Sequence, residues 1–520
     1  MGADPIFFPS MRAFLGLVFT VLLALPGLAA SSSTLAPLRA FVAPQTLRSD
    51  EVTLIWEKAL PGTAVTYQIT RDSVTVGRTT ATHFTAKGLT PATDVALVVA
   101  ALDASGREVA RSARLVLKTP AKETVLNVES FGAKGDGQTS NTKAIQAAID
   151  ACPVGGVVLI PRGVFVSGAL FLKSDMTLEV AAGATLQGSA VLADYEPFIR
   201  NRFEGWELDT YASLLNAGRL DHQGPANVRN LSIRGAGRIA GGGWPLGKAM
   251  IAARGIRSRA RLILLMNCEN VEIQGVTLEE PPAWTLHYLY CENVTCHDLT
   301  ITTAVRNGDG IDPDSSRHSY IFNCTFDTGD DCIAIKSGKN PEGNRINRPT
   351  ERVWVFNCVF KRGHGISIGS EMSGGVRDVL VQDCVAGNLM HGLQIKATPE
   401  RGNVVEGVVV RDCDLQKISI LTALPYNNDG EAAPEAPYFR NFRFENLDLT
   451  KAPANTAVVL VNGFAQPGHR TKGVTFDRVR LPAGAVVQVK LAEDVRFTGV
   501  TTADGKPPTY QVTESERVVY

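Results

Sequence analysis

Short acidic and basic signatures dominate the middle of this sequence. Asp309 lies in Asn307-Gly308-Asp309-Gly310-Ile311-Asp312, Asp330 and Asp331 are adjacent in Gly329-Asp330-Asp331-Cys332, and His364 stands in Gly363-His364-Gly365. Lysines close two short runs, Ile335-Lys336 and Gln394-Ile395-Lys396. Carboxylates in different surroundings suit hydrolysis of a glycosidic bond, because one must hold a proton for the leaving oxygen while another stays ionised to activate water. Asp330 and Asp331 crowd each other and Asp309, so like-charge repulsion should raise at least one carboxyl pKa. Lysines beside them suit an acidic sugar, whose carboxylate pairs with an ammonium. Singly, each signature has a bland reading: Gly-Asp-Gly serves turns, and Asp-Asp can be a solvated edge. They make a site only if the fold brings them together.

The elements that follow them supply that fold. Gly308-Asp309-Gly310-Ile311, Asp330-Asp331-Cys332-Ile333, Gly363-His364-Gly365-Ile366 and Met390-His391-Gly392-Leu393 align, at offsets of roughly 22 to 33 residues, as coils with variable loops do. Each continues as a short alternating strand that turns Ile311, Ile333, Ile366 and Leu393 inward and the intervening residues outward. Coils stacked about 4.8 Å apart turn such positions into columns on one outer face. One column holds Asp309, Asp331, His364 and His391; a second holds Asp312, Ser367 and Gln394; a third holds Asp314, Lys336 and Lys396. The predicted fold is all-β, a right-handed single-stranded parallel β-helix over residues 124–520. Thr139 and Ser140 are candidate N-caps for a helix through Ala144, Ile145, Ala148 and Ile149 that closes its first coil, and no further helical pattern follows. Five of the nine cysteines sit in one local pattern, Asn267-Cys268, Asn323-Cys324, Asn357-Cys358, Asp383-Cys384 and Asp412-Cys413. That repetition points to stacked, buried thiols rather than disulfides, and without a Cys-x-x-Cys pair no zinc site is expected.

Together these segments resemble the four signatures of the polygalacturonase family, glycoside hydrolase family 28, over about residues 125–450. Pro282-Ala283-Trp284-Thr285-Leu286-His287 and Gly369-Ser370-Glu371-Met372-Ser373-Gly374-Gly375 add to the likeness. The resemblance implies a pectin-lyase-like solenoid that hydrolyses α-1,4 galacturonosyl bonds with inversion and without a metal or other cofactor. It makes Asp330 the general acid, Asp309 with Asp331 the water-activating pair and His364 the support of the acid. It places Asn307, Lys336, Gln394, Lys396, His287 and Arg401 at the substrate, with Lys396 pairing the sugar carboxylate. Two positions depart from the family pattern. Gly308 replaces a threonine, and Gln394 replaces an arginine, which removes a charge normally assigned to the substrate. Spacing by one coil would by itself favour retention over inversion. Other readings of the scaffold are a pectate lyase, a non-catalytic carbohydrate-binding solenoid, or a rhamnogalacturonan, xylogalacturonan or oligogalacturonide hydrolase. The long segments from Tyr195 to Gly224 and Gly241 to Ala260 suit walls around a chain end, hence exo action and release of mono- or digalacturonate.

Residues 36–120 carry alternating runs at sandwich spacing, such as Val52-Thr53-Leu54-Ile55-Trp56 and Val95-Ala96-Leu97-Val98-Val99. With Leu89-Thr90-Pro91-Ala92-Thr93 they resemble a fibronectin type III domain, expected as a detached spacer. Ahead of it, residues 1–30 read as a secretory signal: Met11-Arg12, an apolar run from Phe14 to Leu25, and small residues at Gly27-Leu28-Ala29-Ala30. Asp4 and Pro5 fit an n-region poorly, which makes Met11 the alternative start. An exported protein, periplasmic or secreted, is expected. Its 520 residues carry 52 basic and 52 acidic side chains, so nothing favours nucleic acid, and no later run is long enough for a membrane span. The expected partner is an acidic polysaccharide or oligosaccharide, met by a monomer.

Overall fold

A computed structural model describes residues 36–63, 65–425 and 429–520. The expected signal segment, 1–30, lies outside the described residues. From Val125–Asn127 to Glu516–Val519 the chain forms one continuous ladder of 34 strands, each pairing in parallel with strands one coil before and after it. This is the parallel β-helix. Its interior is a stack of inward columns: Ile311, Ile333, Ile366, Leu393 and Ile418 pair in register and are each fully buried.

The Asn/Asp-Cys repeats have a physical cause at the coil corners. Asn267, Asn323, Asn357, Asp383 and Asp412 all take positive φ, between 48° and 54°. Short polar side chains tolerate that left-handed conformation better than other non-glycine residues. The cysteine that follows turns inward, where only a small apolar group fits. All nine cysteines are buried free thiols.

The first coil is closed by the helix Thr142–Ala151, whose Ile145, Ala148 and Ile149 are buried. Its N-cap is Asn141, not Thr139 or Ser140, which belong to the preceding strand Asp136–Ser140. Contrary to expectation, further helices occur at Gly243–Arg254 and Glu342–Ile346. The first opens on Gly-Trp-Pro and packs Gly247 against the Pro282 carbonyl, where a Cβ would stand 2.5 Å from the oxygen. Leu246 and Met250 on the same face pack against Tyr195, Tyr211 and Ala260, so close backbone approach and a short apolar stripe together hold it there.

Residues 36–118 form two sheets of antiparallel character around Leu54, Trp56, Tyr67, Ile69, Leu97 and Val99, with Trp56 and Tyr67 ring centroids 5.1 Å apart. This sandwich is not detached. In the strand Glu51–Trp56 both faces are buried, because Leu54 and Trp56 face the sandwich core while Ile55 joins Tyr320, Phe322 and Phe356 of the β-helix. Polar contacts fix the docking: Arg48 donates to both Glu272 carboxylate oxygens at 2.7 Å, and Lys58 pairs with Asp383 at 2.6 Å and Asp412 at 3.1 Å. Among the described residues no helix is long and apolar enough to cross a membrane.

A thiol count tests the buried cysteine columns. Unreduced protein should show almost no reactive thiol when native and nine after denaturation, since buried thiols are inert. A smaller denatured count would reveal disulfides that contradict this core.

Candidate active site

The coils bring the signatures onto one outer face. Asp312, Ser367, Gln394 and Ser419 stand on neighbouring strands between inward residues, Ser367 pairing with Gln394 and Gln394 with Ser419. Asp314 bridges Lys336 in parallel register. Asp309, Asp330, Asp331 and His364 occupy the corners where these strands begin, and glycine makes those corners possible. At Gly365, with φ of 93°, a Cβ would lie 2.1 Å from the Gly392 carbonyl oxygen.

Two of the four are open to solvent. The Asp330 and His364 side chains are about a quarter exposed, whereas Asp309 and Asp331 are almost covered. His364 Nδ1 lies 3.0 Å from Asp330 Oδ1 and 3.5 Å from Asp331 Oδ1. Asp330 and then Asp331 hold the imidazole cationic, raising its pKa to about 9 against partial burial. Burial opposes ionisation of Asp331, but His364, Lys396, Lys336 and the Ser367 hydroxyl, donating at 2.6 Å, outweigh it and hold the carboxyl at about 2. Asp309 goes the other way: burial, with neighbouring Asp312, pushes it well above the usual carboxylate range. Asp312 is wholly buried and pushed up to about 7, first by burial. One face thus presents an ionised carboxylate beside a protonated one.

Lys336 governs that balance. Its Nζ is 3.4 Å from Asp309, 3.5 Å from Asp312 and 3.8 Å from Glu371, and it sits 4.6 Å from the Trp284 ring centroid. Burial disfavours the ammonium, yet Glu371, Asp309, Asp312 and Asp331 keep it charged. At 4% exposure Lys336 is as covered as Asp309 and Asp331, enclosed by the carboxylates it pairs with. His287 and Arg401, also expected at the substrate, are fully buried. The His287 Nε2 is 3.4 Å from Asp314, and burial lowers its pKa to about 4. Arg401 donates to the Ser370 carbonyl at 2.8 Å and to Asp429 at 2.8 Å. Gln394 is nearly buried, while Asn307 and Lys396 are half-buried at the surface.

Several residues at this face escaped the sequence reading. Arg259 donates to Asn307 Oδ1 at 2.9 Å and to the Arg306 carbonyl at 3.1 Å, fixing the corner before Asp309. Arg202 pairs with Asp314 at 2.7 Å, and Arg261 lies 4.3 Å over Phe203 and 4.9 Å over Trp284. They sit in inserts, where no repeat marks register. Only the Arg202-Phe203 pair within a long insert hinted at them.

The inserts stand beside the carboxylates. Ile199–Phe203 and Trp206–Thr210 form an antiparallel hairpin whose Gly205 carbonyl accepts from Lys339 N at 3.0 Å. A Cβ on Gly205 would lie 2.4 Å from Lys339 Cβ, so the tip must be glycine. Trp206 Nε1 donates to the Asn340 carbonyl at 3.1 Å, and Arg257 and Lys339 each sit 4.5 Å from its ring centroid. Asp330, Asp331 and His364 also place donor atoms within 4.8 Å of one another, the spacing of a metal site. A metal there would have to displace the proton of an imidazole held at about 9.

Comparison with known proteins agrees with this geometry. The family model described as Glycosyl hydrolases family 28 matches residues 158–501, and one described as Rhamnogalacturonase A/epimerase, pectate lyase-like, matches residues 125–190. The chain is 30% identical over 469 residues to an exo-poly-alpha-D-galacturonosidase of Dickeya chrysanthemi, covering 80% of this chain and 77% of that one. Among solved structures, the family 28 exopolygalacturonase of Yersinia enterocolitica superposes with a TM-score of 0.85 at 27% identity, covering 93% of this chain and 99% of that chain. An exopolygalacturonase of Thermotoga maritima gives 0.61 at 28% identity, over 73% and 92%. By its sequence signatures, its coil geometry and the family match over most of its length, the chain belongs to glycosyl hydrolase family 28.

Proposed function

We propose that this protein is an exo-acting, inverting polygalacturonase that hydrolyses α-1,4 galacturonosyl bonds from a chain end. The observation that carries this reading is the convergence of Asp309, Asp330, Asp331 and His364 on one face, with Asp331 held ionised as a base and Asp330 the solvent-accessible carboxyl beside it. In the proposed reaction Asp330, the accessible carboxyl, gives its proton to the glycosidic oxygen as the bond to the anomeric carbon breaks. Water attacks that carbon from the opposite side and loses its proton to Asp331, while Asp309 orients the water. The imidazolium of His364, hydrogen-bonded to both acids, stabilises the carboxylate that Asp330 becomes.

The substrate is an acidic pectic polysaccharide. Lys396, half-buried two coils on from Asp331, is the proposed partner of a sugar carboxylate, with Asn307 and Gln394 hydrogen-bonding. Lys336, His287 and Arg401 act from below, holding the charge and shape of that surface. Exo action is supported by the hairpin at Trp206, which packs on Lys339 and Asn340, and by the segment carrying Arg257 and Arg259, which holds the corner before Asp309. The relatives reported as exo enzymes support the same choice. Export is part of the proposal, supported by the basic, apolar and small-residue succession from Met11 to Ala30, as is action by a monomer.

Three outcomes test the reading. Wild-type protein on polygalacturonate should accumulate a single short product early while viscosity stays nearly constant; a rapid viscosity fall with few new reducing ends means endo action. Asp330→Asn and Asp331→Asn should each lower kcat by about 10²–10⁴-fold with unchanged circular dichroism, and near-normal turnover in Asp330→Asn would remove it as the acid. His364→Ala withdraws the hydrogen bond that most favours the Asp331 carboxylate, so Asp331 should protonate at higher pH. The acid limb of kcat/KM then moves upward, and an unmoved limb would contradict the assigned base.

A further inference from the structure

Glu371 stands at the edge of the charged cluster, and the proposed reaction leaves it unused. Its backbone is pinned on both sides: Ser337 N donates to the Glu371 carbonyl at 2.7 Å, and Arg401 Nε donates to the Ser370 carbonyl at 2.8 Å. Met372, next along the chain, is fully buried. One carboxylate oxygen of Glu371 is 3.8 Å from Lys336 Nζ, which in turn lies 3.4 Å from Asp309. Burial opposes ionisation of Glu371, but Lys336, Lys339 and Arg401 hold its carboxyl below the usual range. The hairpin tip closes on the same side chain, since a Cβ on Gly205 would stand 3.2 Å from Glu371 Cγ.

Charge balance is met at Glu371, and hydrogen bonding is not. Apart from its own backbone N–H, no described residue donates to this carboxylate, although its side chain is 17% exposed. An ionised carboxylate offers about four lone-pair sites. A group held this firmly, with its acceptors open beside the acids, is built to receive donors from a ligand.

We propose that Glu371 is a substrate-binding residue that accepts hydrogen bonds from the adjacent O2 and O3 hydroxyls of the sugar unit held over Asp309 and Asp331. This deepens the hydrolase reading and rests on it. The choice of hydroxyls follows from the substrate's chemistry. In an α-1,4-linked galacturonosyl unit the linkages take O1 and O4, and C6 is the carboxylate. O2 and O3 are then the free donors, and they are neighbours. Vicinal hydroxyls match the paired oxygens of one carboxylate, and charge-assisted O–H···O⁻ bonds are the strong ones. The same negative charge repels a uronate carboxylate, so a unit turned over with C6 toward Glu371 is rejected.

The test measures binding to full-length Asp330→Asn protein, so that slow turnover and the altered reactivity of deoxy sugars do not enter. The probes are trigalacturonate and trimers deoxygenated at C2, or at C3, of every unit. Each deoxygenation should weaken binding by about 10–100-fold, the loss of one charge-assisted hydrogen bond. Adding Glu371→Ala should weaken trigalacturonate binding by a similar factor and shrink both deoxy penalties accordingly, the coupling that a double-mutant cycle isolates. Glu371→Gln, which keeps one acceptor and the side chain's size, should fall between, and it keeps the test decisive if Glu371→Ala fails to fold. Deoxy penalties unchanged by the loss of Glu371 would overturn the proposal. So would a Glu371 variant that binds trigalacturonate normally and shows only a displaced acid limb of kcat/KM, the signature of a carboxylate acting solely through Lys336. Wild-type protein that cleaves neither trigalacturonate nor polygalacturonate would instead overturn the hydrolase reading itself.

Discussion

Leu393 lies beside Ile366, Ile366 beside Ile333 and Ile333 beside Ile311, and this buried column sets the register on which the active face depends. A parallel ladder allows no half-steps. Slipping one strand by one residue would turn Ile333 outward and every polar neighbour inward, at the cost of burying unpaired charge. The outward residues are therefore held as rigidly as the inward ones. Asp309, Asp331 and His364 stand one coil apart because the isoleucines beneath them must pack.

Placing acids so close creates the problem that the charge layer below solves. Carboxylates at strand spacing repel one another and lose hydration, and both effects favour the neutral form. Lys336 answers from below, within 3.4–3.8 Å of Asp309, Asp312 and Glu371. Asp331 is favoured further by His364, which it shares with Asp330, and by the Ser367 hydroxyl. The outcome is an ionised Asp331 beside a protonated Asp309, so that of these two Asp331 is the one able to take a proton from water. Arg202, Arg259 and Arg261 extend the balance outward and tie the walls to the coils that bear the acids.

The coils and the acids were legible from the sequence because both recur. The inward Ile, Ile, Ile and Leu, the Asn/Asp-Cys corners and the ordered signatures all report the same repeat. Depth was not legible. Lys336 and Lys396 occupy equivalent positions on their strands, yet Lys336 is buried among carboxylates with Trp284 and Glu371 beside it, whereas Lys396 is only half-buried. His287 and Arg401 read as substrate contacts for the same reason. The docked sandwich was missed because Ile55 lies in a strand that one sheet alone explains, and its partners Tyr320 and Phe322 are some 265 residues away. Helix Gly243–Arg254 was missed because Gly243 and Gly247 interrupt its buried face and leave only Leu246 and Met250 as an apolar stripe.

On the proposed reading the walls and the charged columns fix one direction for the sugar chain. A crystal structure of Asp330→Asn with bound trigalacturonate tests this directly. It should show the non-reducing end against the hairpin near Trp206 and the scissile bond over Asp331, beside His364. A trimer bound in the reverse direction, or seated away from Asp309, Asp331 and His364, would contradict it.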